Sequence, residues 1–146
     1  MTSLPTNPGR RSSLTRRVRH AGLRFETSIL EQLVDREPGN LEYLAALGEA
    51  YTRLRRYAKG LDVDRRLVAA DPADPIYRYN LACSLALTSD LDGACAALLK
   101  AFELGYSDFD HLMRDPDLRR LRGDVRFGLV REQFERLHGP GTSANA

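Results

Sequence analysis

Shifted by 34 residues, the chain falls on itself. Pro38 meets Pro72, Leu47 meets Leu81, Gly48 meets Ala82, Tyr51 meets Leu85 and Gly60 meets Ala94. The same step aligns Val34, Val68 and Phe102, and it aligns Leu33 and Leu67 with one lapse at Ala101. Elsewhere small residues fall on small and large on large, over two full units and the half unit before them. A period of this length means that each unit buries its apolar face only by stacking on the next. The chain is therefore expected to form a row of like pieces.

Each unit splits in two. Leu41–Leu54 places apolar residues at 41, 44, 47, 51 and 54, a helical spacing, and the Arg-rich turn "RLRRY" follows. A second helix over Tyr57–Ala70 runs into "ADPADP". The next pair spans Pro75–Leu87 and Leu91–Leu104 around "TSD". Pro75 suits a first helical turn with Asp74 as its N-cap, and Asp90 can cap the helix after it. Connections this short make neighbouring helices antiparallel. Upstream, Phe25, Ile29, Leu30, Leu33 and Val34 give a further helical face that stops at Pro38–Gly39. Downstream, Asp115–Pro116 reads as an N-cap and first helical residue, and Gly123 breaks the pattern. Asp124 then opens a helix with Phe127, Val130, Phe134 and Leu137 on one face, which would cover the open end of the row. The chain divides into a basic mobile arm (1–20), helical repeats (21–106), capping helices (107–139) and a frayed tail (140–146).

The stretches "YLAALGEAY", "YRYNLACSL" and "DGACAALLKAFEL", with Pro38 and Pro72 ending their units, resemble the tetratricopeptide repeat family. Ala94, Leu98 and Ala101 occupy the family's small, large and small positions. Asp64 departs from the pattern, standing where the family has a large apolar residue, and Leu67 stands where it has Ala. Tyr106 replaces a terminal proline, and residues 10–20 make no convincing first helix for the half unit. The fold this implies is all-α: a short right-handed α-solenoid of antiparallel helical hairpins with a C-terminal helical cap. The resemblance also implies a non-catalytic role in binding other proteins, with the first helix of each unit lining a concave side.

Catalysis finds little support in the residues. His20, His111 and His138 are scattered, and no His-x-x-x-His or Cys-x-x-Cys spacing points to a metal. Cys83 and Cys95 lack the sequence context of a nucleophile and read as small apolar residues. The separated glycines form no phosphate-binding loop. No cofactor and no enzymatic activity are expected.

Helical geometry puts Glu42, Ala45, Glu49 and Thr52 on the concave side of the first unit, and Ile76, Tyr79, Asn80 and Cys83 on that of the second. These eight are the candidate peptide-binding positions. Asn80 resembles a position that contacts peptide carboxylates in chaperone-binding members of the family. Those members need basic neighbours, and Ala45 and Glu49 stand here instead, so no carboxylate clamp is expected.

Charge is unevenly spread. Arg10, Arg11, Arg16, Arg17 and Arg19 give residues 1–20 a charge of +5 against a net +2, which leaves the body at −3. Such an arm could neutralise phosphates of a nucleic acid or an anionic membrane, although it lacks the interleaved aromatics of single-strand binders. Phe25 and Ile29 offer a further surface, an uncovered N-terminal end face that could stack on a second copy. The expected partner is another protein or peptide. Two cysteines without a disulfide framework, no secretory signal and no apolar run of about 18 residues make the cytoplasm the expected compartment.

Overall fold

The computed structural model describes residues 8–139, with side chains from Ser13 onward. The tail expected at 140–146 and the first seven residues of the arm lie outside the described residues. Helix α1 (Pro8–Arg36) leads into two hairpins, α2 (Leu41–Arg53) with α3 (Tyr57–Ala70) and α4 (Pro75–Leu87) with α5 (Leu91–Glu103). A terminal group follows: α6 (Phe109–Arg114), a 3₁₀ turn (Pro116–Leu118), α7 (Arg119–Arg122) and α8 (Phe127–His138). Each helix from α1 to α5 packs on the next, and α8 closes on α5. The fold is the all-α, tetratricopeptide-like solenoid with a helical ending, and no strand occurs among the described residues.

The boundaries follow from local chemistry. The Asn40 side chain accepts from the Tyr43 amide, Asp74 from the Ile76 and Tyr77 amides, and Asp90 from the Gly93 amide. Each thereby satisfies amides that the first turn of a helix leaves open. Helices α2, α4 and α5 end alike, with a left-handed residue at Arg55 (φ 58°), Ser89 (φ 74°) and Gly105 (φ 106°). The next amide reaches back over the last turn, as Arg56 N does to the Tyr51 carbonyl at 2.8 Å. Small residues let the helices approach: a Cβ added at Gly48 would stand 3.0 Å from Val63 Cγ1. Ala82 and Ala94 occupy fully buried positions one repeat later.

Several expectations change. The segment expected as a mobile arm, with no convincing helix over 10–20, is helical from Pro8 onward. Pro8 has the fixed φ that a first turn accepts, and no proline interrupts the chain from there to Arg36. Extension of an existing helix also costs far less than starting one. The face of α1 that packs is also narrower than its apolar spacing, and it leaves uncovered the two residues expected to form an end face. Thr27 and Val34 are buried with Leu30 beside them, whereas Phe25 and Ile29 point outward. Downstream, α8 begins at Phe127 rather than Asp124, and Leu137 is exposed while Phe127, Val130 and Phe134 are buried.

Candidate functional site

The concave side holds a groove of about 690 Å³ between α2, α4 and the segment that joins α6 to the 3₁₀ turn. From α2 it is lined by Ala45, Ala46, Gly48, Glu49 and Thr52, and from α3 by Asp64. From α4 come Tyr79, Asn80, Cys83 and Ser84, and from the terminal group His111, Asp115 and Asp117. Six of the eight residues expected to face a partner thus meet in one groove. Glu42 and Ile76, on the first turns of α2 and α4, are exposed but do not line it.

Tyr79 and Cys83 take a different part from the one expected of them. They are buried, Tyr79 at 4% exposure, because the terminal group folds back over α4. The Tyr79 hydroxyl donates to Asp115 Oδ2 at 2.7 Å, and the Cys83 thiol lies 3.6 Å from the same oxygen. The Tyr79 ring stacks on Tyr106 with centroids 4.4 Å apart, and His111 leans over it at 5.5 Å. Asp115 is itself held from behind. Its Oδ1 accepts from the Asp117 amide at 2.9 Å, and Arg122 donates to the Leu112 and Asp115 carbonyls at 2.9 and 2.5 Å. Asp115 and Asp117 therefore form a fixed wall. Their role as groove residues was missed because nothing local in the sequence pairs them with residues 79–83.

Asp64 is the other residue with a new role. It is 7% exposed, and Ser84 Oγ donates to its Oδ2 at 2.5 Å. Burial raises its carboxyl to about 6 against the lowering effect of that one hydrogen bond. Burial also raises Asp117, with the Asp115 charge adding to it. The Cys83 thiol is pushed well up by burial and then by Asp115, so it stays protonated and unreactive. Cys95 is also raised, chiefly by burial.

The groove carries more acids than bases, and His111 Nε2 lies 3.6 Å from Asp115 Oδ2. Glu49, Asp64, Asp115 and Asp117 face the groove, and no Lys or Arg is among its lining residues. Among the described residues the Glu49 carboxylate and the Asn80 amide have no hydrogen-bonding partner. No set of three or more His, Cys, Asp or Glu residues is arranged to hold a metal among the described residues.

No protein-family model matches the chain. The chain is 26% identical over 91 positions to a chloroplastic protein of Arabidopsis thaliana, covering 60% of this chain and 27% of that protein. The chain therefore spans about a quarter of that relative's length. Among solved structures it is similar to MamA (residues 41 to the end) from Desulfovibrio magneticus RS-1, with a TM-score of 0.57 and 20% identity. That match covers 82% of this chain and 70% of the other. MamA MSR-1 C2 matches with a TM-score of 0.56 and 19% identity, over 82% and 71% of the two chains. At these identities the likeness establishes the fold. No described helix is long and apolar enough to cross a membrane.

Proposed function

We propose that this chain is a non-catalytic protein-interaction scaffold whose concave groove holds a segment of another protein through a basic side chain. The observation that carries this reading is the charge of the groove: four carboxylates and no Lys or Arg around about 690 Å³. Stacked hairpins supply a rigid surface, so little ordering entropy opposes binding on this side. Asn80 is placed to bond a peptide backbone, and Ala45 leaves room for a side chain above it. A Lys or Arg entering there brings a charge of the opposite sign to the exposed Glu49 carboxylate, with the more buried Asp64 and Asp115 behind it. The MamA likeness supports a scaffold of this kind through the fold alone. The free thiols suit the reducing cytoplasm in which we place it.

Selection of a displayed library of random ten-residue peptides on the full chain tests this. The expected outcome is enrichment of peptides carrying Lys or Arg. Their binding should weaken as pH falls through about 6, where Asp64 takes up a proton. Ala45→Arg places a guanidinium in the groove from within and should abolish their binding while leaving the helical content intact. Peptides enriched without a basic residue, or binding Ala45→Arg as well as the parent, would overturn the reading.

A further inference from the structure

We infer that α1 is a lipid-docking helix, whose outward side lies on an anionic membrane surface. The same helix has two uses along its two sides. Thr27, Leu30 and Val34 face the repeats, and they account for its packing on α2. Leu14, Val18, Phe25 and Ile29, spaced at i, i+4, i+11 and i+15, share the opposite side and are 60, 63, 71 and 42% exposed. They form a straight apolar stripe about 22 Å long.

Charge identifies what covers this stripe. Residues 8–25 carry Arg10, Arg11, Arg16, Arg17, Arg19 and Arg24 and no acid. The first two acids of α1 are turned to the body of the protein. Glu26 pairs with Arg53 at 3.7 Å, and Glu31 accepts from the Tyr51 hydroxyl at 2.6 Å with Lys59 3.6 Å away. The turns of α1 from Ser13 to Gly22 project from the body, exposed all round, so their arginines ring the helix, with Arg17 and Arg24 alongside the apolar stripe and Arg16 and Arg19 behind it. A second copy stacked antiparallel on the stripe would set the arginines of residues 10–19 against residues 24–33 of its mate, whose acids Glu26 and Glu31 are already engaged by the body, so the arginines would go unneutralised. A nucleic acid would satisfy the arginines and leave the aliphatic stripe in water, with Phe25 the one aromatic ring along it. An anionic bilayer satisfies both parts: acyl chains take the stripe, and lipid phosphates take the guanidinium groups. The elements expected separately from sequence, a basic arm and an apolar end face, lie on one helix.

Co-sedimentation of the full chain with vesicles tests this, comparing pure phosphatidylcholine with mixtures containing phosphatidylglycerol. Binding is expected only to the anionic vesicles and should fall as salt is raised. The pair Val18→Asp and Phe25→Asp should lower partitioning about tenfold or more, and so should the pair Arg17→Glu and Arg24→Glu. All four side chains are exposed, so circular dichroism should show the parent's helical content. Equal binding to both vesicle types, or parent-like binding by either pair, would overturn the inference. So would two other results in the absence of vesicle binding. Assembly at high concentration that Phe25→Asp abolishes would assign the stripe to a second copy. Retardation of a DNA or RNA duplex that Arg16→Glu abolishes would assign the arginines to nucleic acid.

Discussion

The two hairpins follow one 34-residue plan, but their surroundings differ at the two ends of the row. The second hairpin shares a continuous core with the terminal group, in which Phe102, Tyr106, Phe109, Phe127 and Phe134 meet. Phe134 sits edge-on to Phe102 with centroids 5.2 Å apart and lies 4.5 Å from Phe109. The first hairpin has a smaller core of Val34, Leu44, Leu47, Tyr51, Val63 and Leu67, and beyond it α1 leaves a row of large apolar side chains in water. In a solenoid each unit is stabilised by its own helices and by its neighbours. The same plan therefore gives a closed, aromatic-rich end that holds the groove wall, and an open end free to meet another surface.

The largest effect should come from the closed end. Phe134→Ala removes a ring that is 1% exposed and should cost about 3–5 kcal/mol in denaturant unfolding. Phe25→Ala at the open end should stay within about 0.5 kcal/mol of the parent. Equal losses at both positions would break the contrast.

Asp64 comes next, at the seam between the two hairpins. Its carboxyl binds a proton more readily in the folded chain than in the unfolded one, rising from 3.8 to about 6. This group therefore favours folding most at pH below its unfolded value, and that contribution is lost as pH rises through about 6. Asp64→Asn should stabilise the chain by roughly 1–3 kcal/mol near neutral pH. The gain should fade toward about pH 4, which unfolding curves at a series of pH values would show. A gain independent of pH would remove the buried charge as its cause.

Tyr79→Phe deletes the donor to Asp115 while keeping the stacked ring, and should cost about 1–2 kcal/mol. Amide hydrogen exchange should locate the loss in α6 and the 3₁₀ turn, with α2 and α3 unaffected. A smaller effect is a gain. Arg55 is held at a positive φ that glycine adopts without strain, so Arg55→Gly should add about 0.5–1 kcal/mol in thermal unfolding.

What the sequence made legible follows from the range of each interaction. Caps, breakers and apolar spacing act within a few residues, so the hairpin helices could be read almost to the residue, including Asp74 and Asp90 as caps. The departure at Asp64 was visible as a polar residue in an apolar position, but its bond to Ser84 joins residues 20 apart. The wall at Asp115 meets Tyr79 across 36 positions and belongs to no repeat. The arm was misread for a different reason. Its side chains from Ser13 to His20 are all exposed, and its helix is extended from a packed segment downstream.

The bond between Tyr79 and Asp115 also sets when the groove comes into being. As the chain leaves the ribosome, both hairpins are complete by residue 104, and at that stage α2 and α4 flank a trough with no third side. The wall arrives only with residues 109–118, and it is braced by Arg122 and held in place by α8 closing on α5. A chain cut before residue 109 keeps both hairpins and lacks the groove wall.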